Sequence, residues 1–192
     1  LALLIGETAT SGTIGGIPAN TTNDTGVTFW ANQKLAATDT NFSTLLRDLR
    51  RLRNLCGKGI GGFPDMHLCD QATQECYETA LASQNRYVDY KRADIPFDNV
   101  TFHGSPVVWD EFMPNWSGIT TVQSATQGTW VMINSKFMQV KYDSETNFVA
   151  TPFISPENQD ASSAKVLWYG TLGTNNRRKL GVLSDITTTL TS

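Results

Sequence analysis

The chain has 192 residues, with 15 Lys+Arg against 18 Asp+Glu and a formal net charge of −3, which is room for one generous domain or two small interleaved ones. An apolar fraction of 40% with 15 glycines excludes a disordered chain, and the absence of any basic tract longer than Arg177-Arg178-Lys179 argues against tight or sequence-specific grip on a nucleic-acid backbone. Charged residues reach only 17%, while 25 Thr, 13 Ser and 13 Asn supply the polarity, so strands, turns and extended loops are expected in a β-rich or α+β protein.

Leu1 to Trp30 is apolar at Leu3, Leu4 and Ile5, then rich in Gly, Thr and Asn, and reads as an extended arm that needs a partner surface. From Asp39 the pattern changes. Phe42, Leu45, Leu46, Leu49, Leu52 and Leu55 recur every three or four residues with Arg47, Asp48, Arg50, Arg51 and Arg53 between them, which predicts a helix over about 42–56. Asp39, Thr40 or Ser43 is expected to cap it, and Gly57 to end it in a left-handed conformation. After the glycines of 57–62, Met66 and Leu68 face one way in a short strand and His67 and Cys69 the other. Asp70 is then a good N-cap for a helix over about 71–87, whose narrow stripe of Ala72, Cys76, Tyr77, Ala80 and Leu81 predicts packing on a sheet.

Asn99–Asp110 reads as strand, Gly-Ser-Pro turn, strand; Met113–Gln127 reads as a loop. Thr129–Tyr142 is strand-like throughout, with a buried run at Trp130–Ile133 and then Met138, Val140 and Tyr142 alternating with Gln139 and Lys141. Thr151–Asp160 is a connector. A strand from about Lys165 to Leu172, an Asn175-Asn176 turn and a last strand near Leu180–Thr188 complete the reading.

Cys56, Cys69 and Cys76 are odd in number and read as reduced thiols of a cytosolic assembly environment. No apolar run approaches the roughly 18 residues of a membrane-spanning helix, and the five sequons at Asn20, Asn23, Asn41, Asn99 and Asn115 read as chance matches in a Thr- and Asn-rich chain. Because it starts at Leu1, the chain is expected to be a processed or truncated polypeptide.

Nucleophilic catalysis needs a Ser, Cys or Thr beside an oriented base, and the histidines available are His67 and His103. Asp65, His67 and Cys69 share a strand face and Cys76 follows, a weak constellation for a dyad or metal site without CxxC or HExxH spacing. The plainer reading is a strand end feeding a capped helix. His103 flanks a turn, and Asp110-Glu111 point to opposite faces and cannot address one bond. The glycine clusters match no phosphate-binding pattern, so no catalytic residue, metal or cofactor is expected. The arginines of the first helix read as a solvated or subunit-facing side, and the five tryptophans chiefly as core with an exposed subset at an interface.

Four segments in this order resemble the major capsid proteins of tailed double-stranded DNA bacteriophages, of the Hong-Kong-ninety-seven-type capsid fold. They are IGG…TFWANQ near Ile14–Gln33, PDMHLCDQATQECYE at Pro64–Glu78, FHGSPVVWDE at Phe102–Glu111 with WVMINSKFMQVKY at Trp130–Tyr142, and VLWYGTLGTNNRRKLGVLSDI at Val166–Ile186. The resemblance implies an α+β subunit with an axial domain of residues 35–139 joined by the final strand of 177–192. Residues 1–34 and 140–176 would form a peripheral domain. The family's N-terminal arm, extended loop and spine helix have no counterpart in this sequence. The implied function is a non-enzymatic coat protein that self-assembles into pentamers and hexamers around packaged DNA, with decoration or scaffold proteins as possible partners and no membrane. Arg51, Arg177 and Arg178 are the expected intersubunit charge contacts, and Trp109 and Trp168 the structural anchors. The rival is an extracellular β-rich binding module such as a phage tail or adhesion domain, against which the odd cysteine count weighs.

Overall fold

The leucine spacing produces helix α1, Phe42–Gly57, in a computed structural model that describes residues 13–14, 16–18, 21–22, 28–38, 41–82, 100–111, 113, 127–155 and 160–187. Leu45, Leu49, Leu52 and Cys56 are fully buried along one side of α1. Its cap is Asn41, not Asp39, Thr40 or Ser43. The Asn41 side chain accepts from the Thr44 N–H at 3.1 Å, and the Thr44 hydroxyl accepts from the Asn41 N–H at 3.2 Å, a reciprocal box built with Thr at the third helical position. The far end also differs from expectation: Gly57 is still helical and Lys58 leaves in extended conformation, while the left-handed residue is Gly59 at φ 84°. A Cβ on Gly57 would meet the Phe63 ring, which would have to shift. Asp48 turns inward, accepting from the Thr38 N–H at 2.9 Å and the Thr38 hydroxyl at 2.7 Å, which ties the preceding segment to the helix.

The main sheet is assembled from β3 (Gln33–Ala36), β4 (Met66–Cys69), β5 (Thr101–Phe102), β6 (Ser105–Trp109), β7 (Gln127–Ile133) and β10 (Gly181–Thr187), in the order β3-β10-β7-β4-β6-β5. The last strand is thus an inner strand, parallel to β3 and antiparallel to β7, with β4 parallel to β6. A separate hairpin joins β1 (Thr13–Ile14) to β2 (Ile17–Pro18). The turn between β5 and β6 is His103-Gly104, both at positive φ (50° and 82°), so Ser105 and Pro106 belong to the strand instead of the turn.

Asp70 caps helix α2, Gln71–Ala82, by accepting from the Thr73 N–H at 3.1 Å and its hydroxyl at 2.6 Å. The same carboxylate accepts from the Thr129 N–H of β7 at 2.8 Å, so one residue fixes both a helix start and its height on the sheet. The expected extension of α2 over 83–87 lies outside the described residues, as do Trp116 and the sequons at Asn20, Asn23, Asn99 and Asn115.

The strand-like stretch 129–142 is two strands, not one. Asn134 and a 3₁₀ turn, Ser135–Phe137, separate β7 from β8 (Met138–Ala150), which pairs antiparallel with β9 (Val166–Thr174) in a ribbon of its own. The chain divides into one unit of Leu1–Phe137 with Asn176–Ser192 and a second of Met138–Asn175. The Asn175-Asn176 turn is therefore not a hairpin: β9 pairs with β8, and β10 with β3 and β7.

One face of the main sheet carries His67, Cys69, Val107, Trp130, Met132, Leu183 and Ile186 against both helices. Trp130 is fully buried there, edge-on to Tyr77 at 5.2 Å and to Phe102 at 6.1 Å, and tilted against His67 at 5.8 Å. The Trp130 indole N–H donates to His67 Nδ1 at 3.3 Å, so the imidazole proton sits on Nε2, which has no partner among the described residues. Burial pushes the His67 ring down to about 4, with Arg53 and His103 adding to the effect and Asp65 opposing it.

Two predictions follow from this packing. A Cβ on Gly181 would come within 2.5 Å of Cys56 Sγ and 3.1 Å of Leu52, so Gly181→Ala should lose about 1–3 kcal/mol in urea unfolding, and Cys56→Ala in the same chain should restore part of it. His67 titrates near 6.5 when unfolded and about 4 when folded. Its contribution is present above pH 6.5 and is lost as pH falls through that window, by about 3 kcal/mol in total. His67→Phe should flatten this part of the acid dependence between pH 7 and 4.5, whatever its constant cost; identical acid losses in both chains would refute the assignment.

Candidate interaction surface

The residues with chemical potential are distributed through the fold for structural reasons. His67 and Cys69 point to the buried face of β4, as the alternation predicts, while Asp65 is exposed and its carboxylate accepts from the Ser135 N–H at 2.8 Å and from the Ser135 hydroxyl. Cys56, Cys69 and Cys76 are buried and form no disulfide among the described residues. Burial pushes the Cys69 thiol up to about 12, with Asp70 and Glu78 adding to it, and pushes Cys56 to about 12 against the pull of Lys179. Thiols held in the protonated form are poor nucleophiles and poor ligands. Among the described residues no three His, Cys, Asp or Glu side chains are grouped to hold a metal ion. His103, Asp110 and Glu111 are exposed around the β5–β6 hairpin.

The arginine and tryptophan expectations separate. Arg51 is exposed on α1 and Arg178 partly exposed, but Arg177 is fully buried. Its guanidinium donates to the Trp30 carbonyl at 3.2 Å, which makes Arg177 an internal tie of the chain instead of the expected surface contact. Neighbouring Lys179 is also internal, donating to the carbonyls of Lys58 at 2.9 Å and Gly59 at 3.4 Å. Trp109 and Trp168 are 49% and 44% exposed, so neither anchors the core; Trp130 does.

Sequence reasoning missed the surface that this frees. On the β8–β9 ribbon, Val140 faces Leu172 and Tyr142 faces Gly170 across the ladder, and Trp168 lies over Gly170 so closely that a Cβ there would enter its ring. Phe148 lies 6.0 Å from Trp168. Val140, Tyr142, Phe148 and Trp168 are all substantially exposed, whereas Gln139, Lys141 and Thr171 alternate with them. The alternation of Val140 and Tyr142 was a readable signal of an amphipathic strand, but nothing in it tells a buried apolar side from a wet one. In the first unit, Ile60 is 97% exposed in a loop with Gly59, Gly61 and Gly62 at positive φ, and Asn134 steadies that loop by donating to the carbonyls of Gly61 at 3.3 Å and Phe63 at 3.1 Å. No helix among the described residues is long and apolar enough to cross a membrane.

No family model matches the chain, and no curated relative matches it in sequence. Its backbone is similar to a chain of the holo-SrpI encapsulin complex of Synechococcus elongatus PCC 7942, with a TM-score of 0.57 and 12% identity over 83% of this chain and 55% of that one. It is also similar to a chain of the cyanophage A-1(L) capsid asymmetric unit, with a TM-score of 0.55 and 16% identity over 93% of this chain and 56% of that one. The chain therefore spans little more than half the length of either. The backbone similarity to these two chains gives the chain the α+β Hong-Kong-ninety-seven-type capsid fold.

Proposed function

We propose that the chain is a viral major capsid protein whose copies associate into pentamers and hexamers of an icosahedral head around double-stranded DNA. The supporting observation is the fold it shares with a phage capsid chain and an encapsulin chain. A shell subunit works through many weak contacts that become strong by geometric closure and multivalency, and its chemistry lies at interfaces instead of a reaction centre. On this reading the protein is not an enzyme and needs no cofactor. Residues 35–139 with the strand after Arg177 surround the capsomer axis, and 1–34 with 140–176 lie peripherally. Arg51 and Arg178 meet neighbouring copies, and Trp109 and Trp168 offer aromatic surface at the boundary. Decoration or scaffold proteins are further partners, and assembly in the host cytoplasm precedes residence in the virion. Three buried cysteines without a disulfide among the described residues fit a chain made in a reducing compartment and weigh against an extracellular binding module.

Light scattering and negative-stain imaging of the protein in its full-length form test the reading. Rings or closed shells are expected, with nuclease-protected duplex DNA in shells recovered from producing cells. A clean monomer at about 10⁻⁵ M, where multivalent contacts should hold, overturns it; shells free of DNA would retain the shell and remove the genome.

A further inference from the structure

Two exposed strips of opposite charge lie on the helices of the first unit, and neither is balanced among the described residues. On α1, Arg47, Arg50 and Arg51 recur at spacings of three and four on the side away from the buried leucines, with exposed Lys58 just beyond the helix end. Arg47 has an anionic neighbour, Asp48 at 3.5 Å; Arg50, Arg51 and Lys58 form no ion pair among the described residues. Like charges three and four apart oppose helix formation. On α2, Glu75 and Glu78 are exposed and, among the described residues, their carboxylates accept from neutral amides of their own helix, Gln71 at 3.0 Å and Gln74 at 3.1 Å.

Both helices pack on the same face of the sheet, since the α1 leucines and Tyr77 and Ala80 of α2 share one buried cluster. The strips therefore belong to one layer of the subunit. A surface that carries both halves of a charge match without closing it internally is suited to a heterologous contact, in which the first half of one copy meets the second half of the next; repeated, such contacts close into a ring. A polyanion is the less suitable occupant of the basic strip, because Arg47 already lies beside Asp48 and the few remaining cations offer few phosphate contacts.

We propose that the basic strip of α1 in one copy docks on the Glu75–Glu78 face of α2 in a second copy, as a head-to-tail contact between subunits. The contact rests on the shell reading. It is tested in the full-length protein by sedimentation velocity, with thermal melting as a control for folding, on three variants: Arg50→Glu with Arg51→Glu, Glu75→Arg with Glu78→Arg, and all four changes together. Each double variant should raise the concentration needed for association about tenfold or more, and the fourfold swap should return it close to that of the unaltered chain. Added salt should weaken association of the unaltered chain and of the swap alike.

Double variants that associate normally, or a swap that melts normally yet associates no better than its halves, overturn the contact and leave the shell reading standing. Failure of the unaltered protein to associate overturns both. If a charge-reversed pair does not fold, Arg50→Gln with Arg51→Gln replaces it, with a weaker association and a shallower salt dependence expected and no change overturning the contact. Loss of binding to a 30-base-pair DNA duplex by the Arg50/Arg51 variant, with self-association unchanged, would assign the strip to nucleic acid and overturn it as well.

Discussion

Trp130 is the constraint on which the larger unit depends. Its ring fills the place where β7, β4, the β5–β6 hairpin and α2 converge, through contacts with His67, Phe102 and Tyr77. Two of these neighbours are positioned by a polar tie: the Tyr77 hydroxyl donates to the Thr101 carbonyl at 3.0 Å, and His67 accepts the indole N–H. The heights of the strands are then set by Asp70, which fixes α2 against Thr129 one residue before the tryptophan. A buried indole must find an acceptor, and a histidine supplies one without a permanent charge at neutral pH. His67 is thus explained by packing, with no need for a reaction.

The second unit obeys a different rule. Two strands joined only to one another are marginal in water, and an apolar side of Val140, Tyr142, Phe148 and Trp168 left wet adds to the cost. Such a ribbon gains stability wherever another surface covers its apolar side. The first unit is the reverse case, a closed core in which the buried charges Asp48, Arg177 and Lys179 each meet a polar partner.

Much of this was legible in the sequence where one local pattern dominates. The period of the leucines from 45 to 52 reveals α1 because every apolar position falls on the same side, and the alternation at 66–69 reveals β4 because one sheet face is core. The Asn41 cap escaped because Thr44 replaces the usual acidic partner. The break between β7 and β8 escaped because apolar residues continue on both sides of Asn134, while its cause is long-range: the Asn134 side chain is committed to the loop carbonyls of Gly61 and Phe63. Burial of Arg177 is invisible locally, since its acceptor, the Trp30 carbonyl, lies 147 residues away. The five tryptophans look alike in composition; only the register of β7 beside β4 and β10 makes Trp130 the central one.

The same physics explains how the fold persists at 12–16% identity to two shell proteins. An enzyme pins particular side chains to a reacting bond, and those residues remain readable as motifs. A shell subunit needs a sheet of the right order, helices at the right height and edges that meet, and each can be met by many sequences of suitable volume and polarity. Here the devices that satisfy those demands are individual: Asp70 bridging a helix cap to a strand, Lys179 holding the carbonyls at the end of α1, a glycine at 181 that admits Cys56. A relative could replace any one of them by another solution of equal geometry. Shape is thus retained while residue identity drifts, and the surfaces that choose a partner are free to diverge fastest of all.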